Sequence, residues 1–244
     1  MTGPRTRSQL PLASARSRWL DAELATRSGV SDRDRRRRLL VAGATLVLGA
    51  AALSWSLRLS AGDPRFIPAT LALAAVWTIG SLACGPPLRR AGRRLARRAA
   101  PELGVGLAAG AVLLGVFLLG SGAVAQAPPL RDPVHALLAH AHWGSLGPVL
   151  AVAVLNGVVE EAFFRGALHD ALPARWAPVA TTVAYTLATA AAGIVLLAFA
   201  ALLLGALCAA LRRATGALLA PIACHLIWST GMILFLEPAL EWWA

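Results

Sequence analysis

The sequence contains no lysine: all 23 basic residues are arginine, and with 12 acidic residues they give a formal net charge of +11. Charged residues make up only 14% of the chain, which is too few to cover a soluble domain of this length. The arginines cluster at the ends of apolar segments, so they indicate membrane topology rather than a nucleic-acid-binding surface. We therefore expect no nucleic-acid partner.

Cysteine is also scarce. Cys84, Cys208 and Cys224 lie in or beside apolar segments without C-x-x-C spacing, which argues against zinc and disulfide motifs and predicts small buried residues. The stretch up to Arg38 is polar and lacks the short apolar core and cleavage site of a signal peptide. The first apolar segment is therefore expected to remain as a membrane anchor.

Apolar residues dominate what is present, at 57% of the chain with a mean hydropathy of +0.65. About 20 apolar residues in a helix cross a hydrocarbon layer of about 30 Å. The sequence predicts an all-α, polytopic transmembrane bundle of about seven spans, at 39–58, 66–84, 103–126, 147–168, 176–192, 193–211 and 216–236. The fifth and sixth spans meet near Gly193 with almost no polar linker, so their separation stays open.

The arginines also predict the orientation of the chain. A cytoplasmic N-terminus leaves only Arg58, Arg65 and Arg131 outside, so that 20 of the 23 arginines lie in the cytoplasm. This distribution satisfies the positive-inside rule. We expect a multi-pass protein of the plasma membrane, embedded in the lipid bilayer, with its C-terminus outside.

Glu160 and Glu161 are adjacent inside the fourth apolar segment. A carboxylate at membrane depth costs at least about 2.5 kcal/mol, so it requires a polar and usually functional interior. Glu161 and Arg165 have the i, i+4 spacing of a helical ion pair. Counted along the helices, Glu160, Tyr185 and His225 all lie about 12–15 Å from the cytoplasmic ends of their segments.

Three helices therefore offer polar groups at one depth, and hydrolysis is the chemistry that they could support. One glutamate would take a proton from water, while His225 would bind the oxyanion or orient that water. A purely structural interpretation stays open, because a Glu–Arg pair can lock helices together and a histidine can hydrogen-bond to a neighbouring helix. His135, His140 and His142 belong to a loop on the opposite side, and we expect solvated or interfacial histidines there rather than a metal site.

The runs Glu160-Glu161-x-x-x-Arg165 and His225-x-x-x-Ser229 resemble the CPBP family, which includes type II CAAX prenyl endopeptidases and bacteriocin-processing or immunity proteins. The resemblance implies a helical membrane bundle whose glutamates and histidines face a cavity open toward the cytoplasm. It also implies an intramembrane endopeptidase acting near the cytoplasmic side, with a membrane or membrane-proximal protein as substrate. Family members are often called metalloproteases, so a divalent metal such as zinc is implied by resemblance alone, and the cofactor stays unknown.

The sequence departs from the family pattern in two places. Tyr185 and Thr189 stand where the family has Phe and His, and Ser229 stands where it has Asn or Asp. In one interpretation, the hydroxyl groups of Tyr185 and Thr189 would hold the water in a slower or differently tuned protease. One alternative is a catalytically degenerate scaffold or immunity-type partner. Another is a proton-coupled transporter. The sequence lacks the paired broken-helix repeats that are typical of transporter folds, which argues against the last alternative. The predicted catalytic set is Glu160, Glu161, Arg165, Tyr185, Thr189, His225 and Ser229.

Three regions follow from this pattern. Residues 1–38 are expected to form a cytoplasmic, arginine-rich, disordered tail that contacts anionic lipid. Residues 39–102 are expected to form two accessory transmembrane helices and a basic cytoplasmic loop. Residues 103–244 would form the protease-like domain.

Overall fold

The computed structural model of the chain describes residues 31–85, 88–142 and 146–243. Every regular element among these residues is a helix, which confirms the predicted polytopic helical bundle. The helices are α1 (Asp32–Arg58), α2 (Phe66–Ala83), α3 (Leu88–Ala125), α4 (Pro128–His142), α5 (Leu146–Ala171), α6 (Ala177–Ala190), α7 (Val195–Thr215) and α8 (Leu219–Trp243).

Six of the described helices are long and apolar enough to span a membrane, rather than the predicted seven. In α3 the apolar part is Ala99–Ala125. The difference arises at α6, which has 14 residues. At a rise of about 1.5 Å per residue it is about 21 Å long, shorter than the hydrocarbon layer of about 30 Å.

The structure separates α6 from α7. Between them Gly193 adopts a positive φ of 82°, which a residue without a side chain reaches at little cost. The carbonyl of Ala191, just beyond α6, accepts a hydrogen bond from Ser54 Oγ at 2.9 Å, one turn before the end of α1. Short as it is, α6 therefore runs across most of the bundle to the end where α1 finishes.

The first turns of α1 correct one expectation. Residues 1–38 were expected to be disordered, yet Asp32–Arg58 is one helix; residues 1–30 lie outside the described part of the chain. The backbone N–H of Asp34 donates to Ser31 Oγ at 3.2 Å, and Asp32 and Asp34 lie in the first turn. A serine N-cap and early acidic residues stabilise a helix start, which explains the extension through the arginine run.

Small residues and aromatic rings set the packing of the bundle. A Cβ atom added to Gly110 of α3 would lie 2.6 Å from the carbonyl oxygen of Cys224 on α8, so only glycine permits this approach. Close contact at small residues is the usual basis of helix association in membranes. Trp77 of α2 packs on Phe163 and Phe164 of α5, at ring-centroid distances of 5.0 and 5.1 Å. The aromatic contacts fix α5 against α2 directly after the glutamate pair.

Helix α4 occupies a region that was expected to be a loop. It buries Val134 and Leu138, one turn apart, against Ala125 and Leu240, and this i, i+4 apolar pair explains the helix. His140 Nε2 lies 2.8 Å from the carbonyl oxygen of Leu59. The side chain of His142 lies outside the described residues, and the described ones contain no group of three or more His, Cys, Asp or Glu side chains suited to a metal ion.

The turn between α1 and α2 is held by Asp63 and Arg65. Arg65 Nη2 lies 2.7 Å from Asp63 Oδ2, and its backbone N–H also donates to this carboxylate. These hydrogen bonds lower the pKa of Asp63 to about 2. The pair therefore stays ionised at neutral pH, and its contribution is lost as the pH falls through that pKa.

Candidate active site

The site is built around an irregularity in α5. The helix is α-helical up to Glu161 and π-helical over Ala162–Leu168. The wider π-turns leave carbonyl groups available to other partners, and such segments recur at functional sites. Here the carbonyl oxygen of Arg165 accepts a hydrogen bond from Arg212 Nε of α7 at 3.0 Å. Nothing in the sequence pattern had indicated the π-helical turns.

Glu161 and Arg165 form the ion pair that their spacing predicts. Arg165 Nη1 donates to Glu161 Oε1 at 2.9 Å, and both side chains have an exposed fraction of 0%. Arg165 Nη2 also donates to the carbonyl oxygen of Gly205 on α7 at 2.9 Å. A Cβ atom at Gly205 would lie 3.2 Å from this nitrogen, so glycine leaves room for the guanidinium. Sequence reasoning missed Gly205, because a glycine in an apolar helix carries no distinct signal.

His225 of α8 reaches both glutamates. Its Nδ1 lies 2.9 Å from Glu161 Oε1, and its Nε2 lies 3.9 Å from Glu160 Oε2. An ionised carboxylate only accepts hydrogen bonds, so Nδ1 carries the proton that is donated to Glu161. This arrangement fixes the ring and directs Nε2 toward Glu160. The imidazole of α8 therefore faces both carboxylates of α5.

Tyr185 of α6 closes the cluster on a third side. The guanidinium carbon of Arg165 lies 4.9 Å from the centroid of the Tyr185 ring, within the range of a cation–π contact. The ring also packs edge-on against Phe164, at 4.9 Å between centroids. Its hydroxyl interacts with the carboxylate of Glu160. Tyr185 thus contacts the ion pair with its face and the second glutamate with its hydroxyl.

Glu160 differs from Glu161 in its access to open space. Its side chain is 13% exposed, and it lines a cavity of about 540 Å³. The cavity lies between Glu160 and the end of the bundle that carries α4, where Leu57 and His140 also line it. In the predicted topology this is the non-cytoplasmic half, whereas the family resemblance implies a cavity open toward the cytoplasm. The two glutamates are therefore distinct: one faces the cavity and the other is sealed in the protein.

Ser229 and Thr189 occupy different positions relative to this cavity. Ser229 lines it, one helical turn beyond His225, and donates a long hydrogen bond of 3.4 Å to the carbonyl oxygen of Leu226. Thr189 is buried in α6, one turn beyond Tyr185, and is not among the described lining residues. The structure thus brings together Glu160, Glu161, Arg165, Tyr185 and His225, with Ser229 nearby. Thr189 lies apart from them.

Cys208 was assigned to packing alone, and it lies beside the ion pair. The residue is fully buried; its thiol interacts with Glu161, and Sγ lies 3.5 Å from the carbonyl oxygen of Pro221. Glu161 Oε2 has no conventional hydrogen-bond partner among the described residues. Cys84 and Cys224 are buried as well.

The donor set does not fit the catalytic zinc that the resemblance implies. Such a zinc normally has three protein ligands and one open position. The described residues contain no group of three His, Cys, Asp or Glu side chains suited to a metal ion; Glu161 is fully buried behind the cavity and paired through Oε1, which leaves Glu160 and His225 Nε2 on the open side, and Thr189 offers no imidazole. Two ligands fall short of the set, so the chemistry below is derived from the side chains alone.

Comparison with known proteins agrees with the family resemblance. Residues 142–231 match the family model described as type II CAAX prenyl endopeptidase Rce1-like. The match contains the glutamate pair and His225, and it confirms the family resemblance. No curated protein and no solved structure gives a significant match to the chain.

Proposed function

We propose that this chain, which belongs through residues 142–231 to the type II CAAX prenyl endopeptidase family, hydrolyses a peptide bond inside the membrane with Glu160 as the general base. One observation carries the proposal. Glu160 faces the cavity at 3.9 Å from His225 Nε2, while Glu161 holds that ring in place through Nδ1 at 2.9 Å. The base thus faces open space with the orienting imidazole beside it, and His225 itself is not among the described residues that line the cavity.

The two glutamates have separate roles in this proposal. Arginine stays protonated in proteins, so its pairing with Glu161 keeps that carboxylate ionised. Glu161 therefore fixes the histidine and takes no part in proton transfer. Glu160 has no arginine partner among its described ion pairs, and Tyr185 contacts its carboxylate. Of the two, Glu160 is the group able to exchange a proton with water.

A water molecule beside Glu160 and His225 would be the nucleophile. The gap of 3.9 Å between Glu160 Oε2 and His225 Nε2 is shorter than two hydrogen bonds of about 2.8 Å laid end to end. One water on the cavity side can therefore contact both atoms at once. Glu160 would accept one of its protons, and the neutral Nε2 would orient it by accepting the other hydrogen.

The reaction would then proceed through a tetrahedral intermediate. The water oxygen attacks the carbonyl carbon as its proton moves to Glu160, and negative charge develops on the carbonyl oxygen. Ser229 lines the cavity, and its long hydrogen bond to Leu226 is weak enough for the hydroxyl to turn toward this oxygen. Glu160 next gives its proton to the leaving nitrogen, the C–N bond breaks, and an acid and an amine result.

The substrate is proposed to be a membrane or membrane-proximal protein. Glu160 lies 11 residues before the end of α5 at Ala171, or about 16 Å from the end where the arginines concentrate. We place the N-terminus of this multi-pass protein in the cytoplasm and the protein in the plasma membrane, on the distribution of arginine. Cleavage would then occur slightly nearer the cytoplasmic face.

A catalytically silent scaffold is the second candidate, and Thr189 is the observation that favours it. The residue replaces the family's histidine and stays away from the cavity. In that case the Glu161–Arg165–His225 cluster would only hold α5, α7 and α8 together.

Cleavage by the purified protein tests the first proposal. Wild type and Glu160→Gln would be incubated in detergent with membrane peptides, and the products identified by mass spectrometry. We expect cleavage by wild type and none by the variant. Equal cleavage by Glu160→Gln would refute the assigned base, and absence of cleavage by wild type would favour the scaffold.

A further inference from the structure

Two residues in the wall of the cavity carry a buried polar atom that has no hydrogen-bond partner among the described residues. These atoms are Oδ1 of Asn156 on α5 and Nε1 of Trp228 on α8. Both residues line the cavity, with exposed fractions of 8% and 9%. The amide nitrogen of Asn156 is engaged, because Nδ2 donates to the carbonyl oxygens of Val152 at 2.9 Å and Thr70 at 3.2 Å. One acceptor and one donor therefore remain unused in the cavity wall.

The two residues lie at one level of the bundle, close to the proposed base. Helix α5 begins shortly after α4, and α8 packs on α4 through Leu240 near its own end, so α5 and α8 are antiparallel. Asn156 precedes Glu160 by four residues, which is about 6 Å along the axis. Trp228 follows His225 by three residues, or about 4.5 Å in the same direction. Both therefore occupy the first turn of the cavity beyond the contact of Glu160 with His225.

The hydroxyl groups elsewhere in the wall show the usual pairing. Ser56, Thr70 and Ser121 each donate to a backbone carbonyl oxygen of their own helix, at 2.6–2.9 Å. Nearly all buried polar groups in proteins are paired in this way, so each exception requires an explanation. Asn156 and Trp228 are such exceptions in this wall.

A missing partner alone does not identify a binding site, and Trp77 shows why. Its Nε1 also lacks a partner among the described residues. However, the ring packs on Phe163 and Phe164, and Trp77 is not among the described residues that line the cavity. A ligand in the cavity would meet Asn156 and Trp228 but not Trp77.

An extended peptide backbone has the chemistry that this pair requires. The indole N–H only donates and the amide oxygen only accepts, whereas each residue except proline offers one backbone N–H and one C=O. In a transmembrane helix these groups bond to each other, and they are released when a segment unwinds. Within an apolar wall the released groups need partners. The pair therefore favours an unwound segment over a helical one.

Building on the function proposed above, we propose that Asn156 and Trp228 bind the backbone of an extended substrate segment beside the scissile bond. Trp228 Nε1 donates to one backbone carbonyl oxygen, and Asn156 Oδ1 accepts from one backbone N–H. Neighbouring groups cover both atoms in the structure, so each side chain turns slightly about χ2, a soft torsion in both residue types. Because both contacts use main-chain groups, they hold segments with different side chains.

Replacing single backbone amides of a peptide by esters tests the two contacts. The probes are dye-labelled eight-residue peptides of alanine, valine and leucine, each with one ester, which lacks the N–H and has a weaker carbonyl acceptor. Affinity for the Glu160→Gln protein in detergent would be measured by fluorescence anisotropy, with empty micelles as the blank. We expect about a fivefold loss where the N–H meets Asn156, the size of one neutral hydrogen bond, and a smaller loss where the carbonyl meets Trp228.

Two substitutions in that background assign the contacts. Asn156→Leu should abolish the first ester effect and Trp228→Phe the second, and each should weaken binding of the unmodified peptide about fivefold. Trp77→Phe is the matched control, because it removes the same N–H outside the cavity and should alter neither affinity nor ester effects. Melting temperatures would identify a variant that fails to fold. If Asn156→Leu fails, the comparison of Trp228→Phe with Trp77→Phe decides the inference.

The outcomes separate this inference from the proposed function. Ester effects that depend on Trp228, without cleavage by wild type, would support the binding site and reject the protease. Cleavage that requires Glu160, while Trp228→Phe binds peptides like Trp77→Phe, would support the protease and overturn the inference. Ester effects that persist in both cavity variants, or absence of peptide binding, would also overturn it.

Discussion

His225 and Glu161 are joined across two helices, with 2.9 Å between Nδ1 and Oε1. The same carboxylate oxygen accepts from Arg165 at 2.9 Å. A carboxylate behind an imidazole fixes its tautomer and orientation, a role well known from hydrolytic and metal sites. The contact therefore supports the proposed division of roles, in which Glu161 positions the ring and Glu160 takes part in the reaction.

Substitution of Glu160 should mainly affect activity, whereas substitution of Glu161 should mainly affect stability. Glu160→Gln places a neutral group at the edge of the cavity, so we expect activity to be lost with little change in melting temperature. Glu161→Gln strands a buried arginine and should cost about 3–5 kcal/mol in the free energy of unfolding. Thermal unfolding in detergent and peptide cleavage would be measured on both proteins. Equal melting temperatures for the two variants would contradict the assignment.

A double substitution should isolate the ion pair. Arg165→Ala leaves the Glu161 carboxylate buried without its cation, and we expect a loss of about 3–5 kcal/mol. Replacing both residues by glutamine removes the two charges together and should be less destabilising. Unfolding of the single and double variants measures the coupling. If the double variant were as unstable as Arg165→Ala, charge pairing would not be the stabilising factor.

The spans and the ion pair could be predicted because each rests on a local signal. Hydropathy located the transmembrane segments, and i, i+4 spacing joined Glu161 to Arg165. The contact of Arg165 with Gly205 and the π-helical turns could not be predicted, since both depend on how α5 packs against α7. Helix α4 was missed because, at 15 residues, it is too short to be recognised as a span, and because it begins with two prolines and contains Pro133, residues that are typical of loops.

The orientation of the C-terminus tests the path of α6. Ala191 beyond α6 contacts Ser54 near the end of α1, so the chain should change sides at α6 despite its 14 residues. With a cytoplasmic N-terminus, the C-terminus then lies outside. A reporter active only in the cytoplasm should give no signal when fused to Ala244, and a strong signal when fused to the N-terminus. Strong signals from both fusions would make α6 and α7 a re-entrant pair.

The substitution Thr189→His should distinguish an active protease from a scaffold. Thr189 lies apart from the cluster but one turn beyond Tyr185 on α6, so the longer side chain of a histidine is the group that could extend from this position toward Glu160 and orient water. In an active protein we expect Thr189→His to leave cleavage unchanged or to increase it. In a scaffold the same change only introduces a bulky polar group at a position that is 6% exposed, which lowers stability.

A matched control comes from the same helix. Leu187 is 66% exposed, and at about 100° per residue it lies on the face of α6 opposite Tyr185 and Thr189. Leu187→His should therefore not increase cleavage. Cleavage would be followed by mass spectrometry for each variant, with and without Glu160→Gln. An increase in cleavage by Thr189→His that disappears with Glu160→Gln would support joint action of the two side chains on one water. Cleavage that survives the loss of both Glu160 and Glu161 would refute the mechanism.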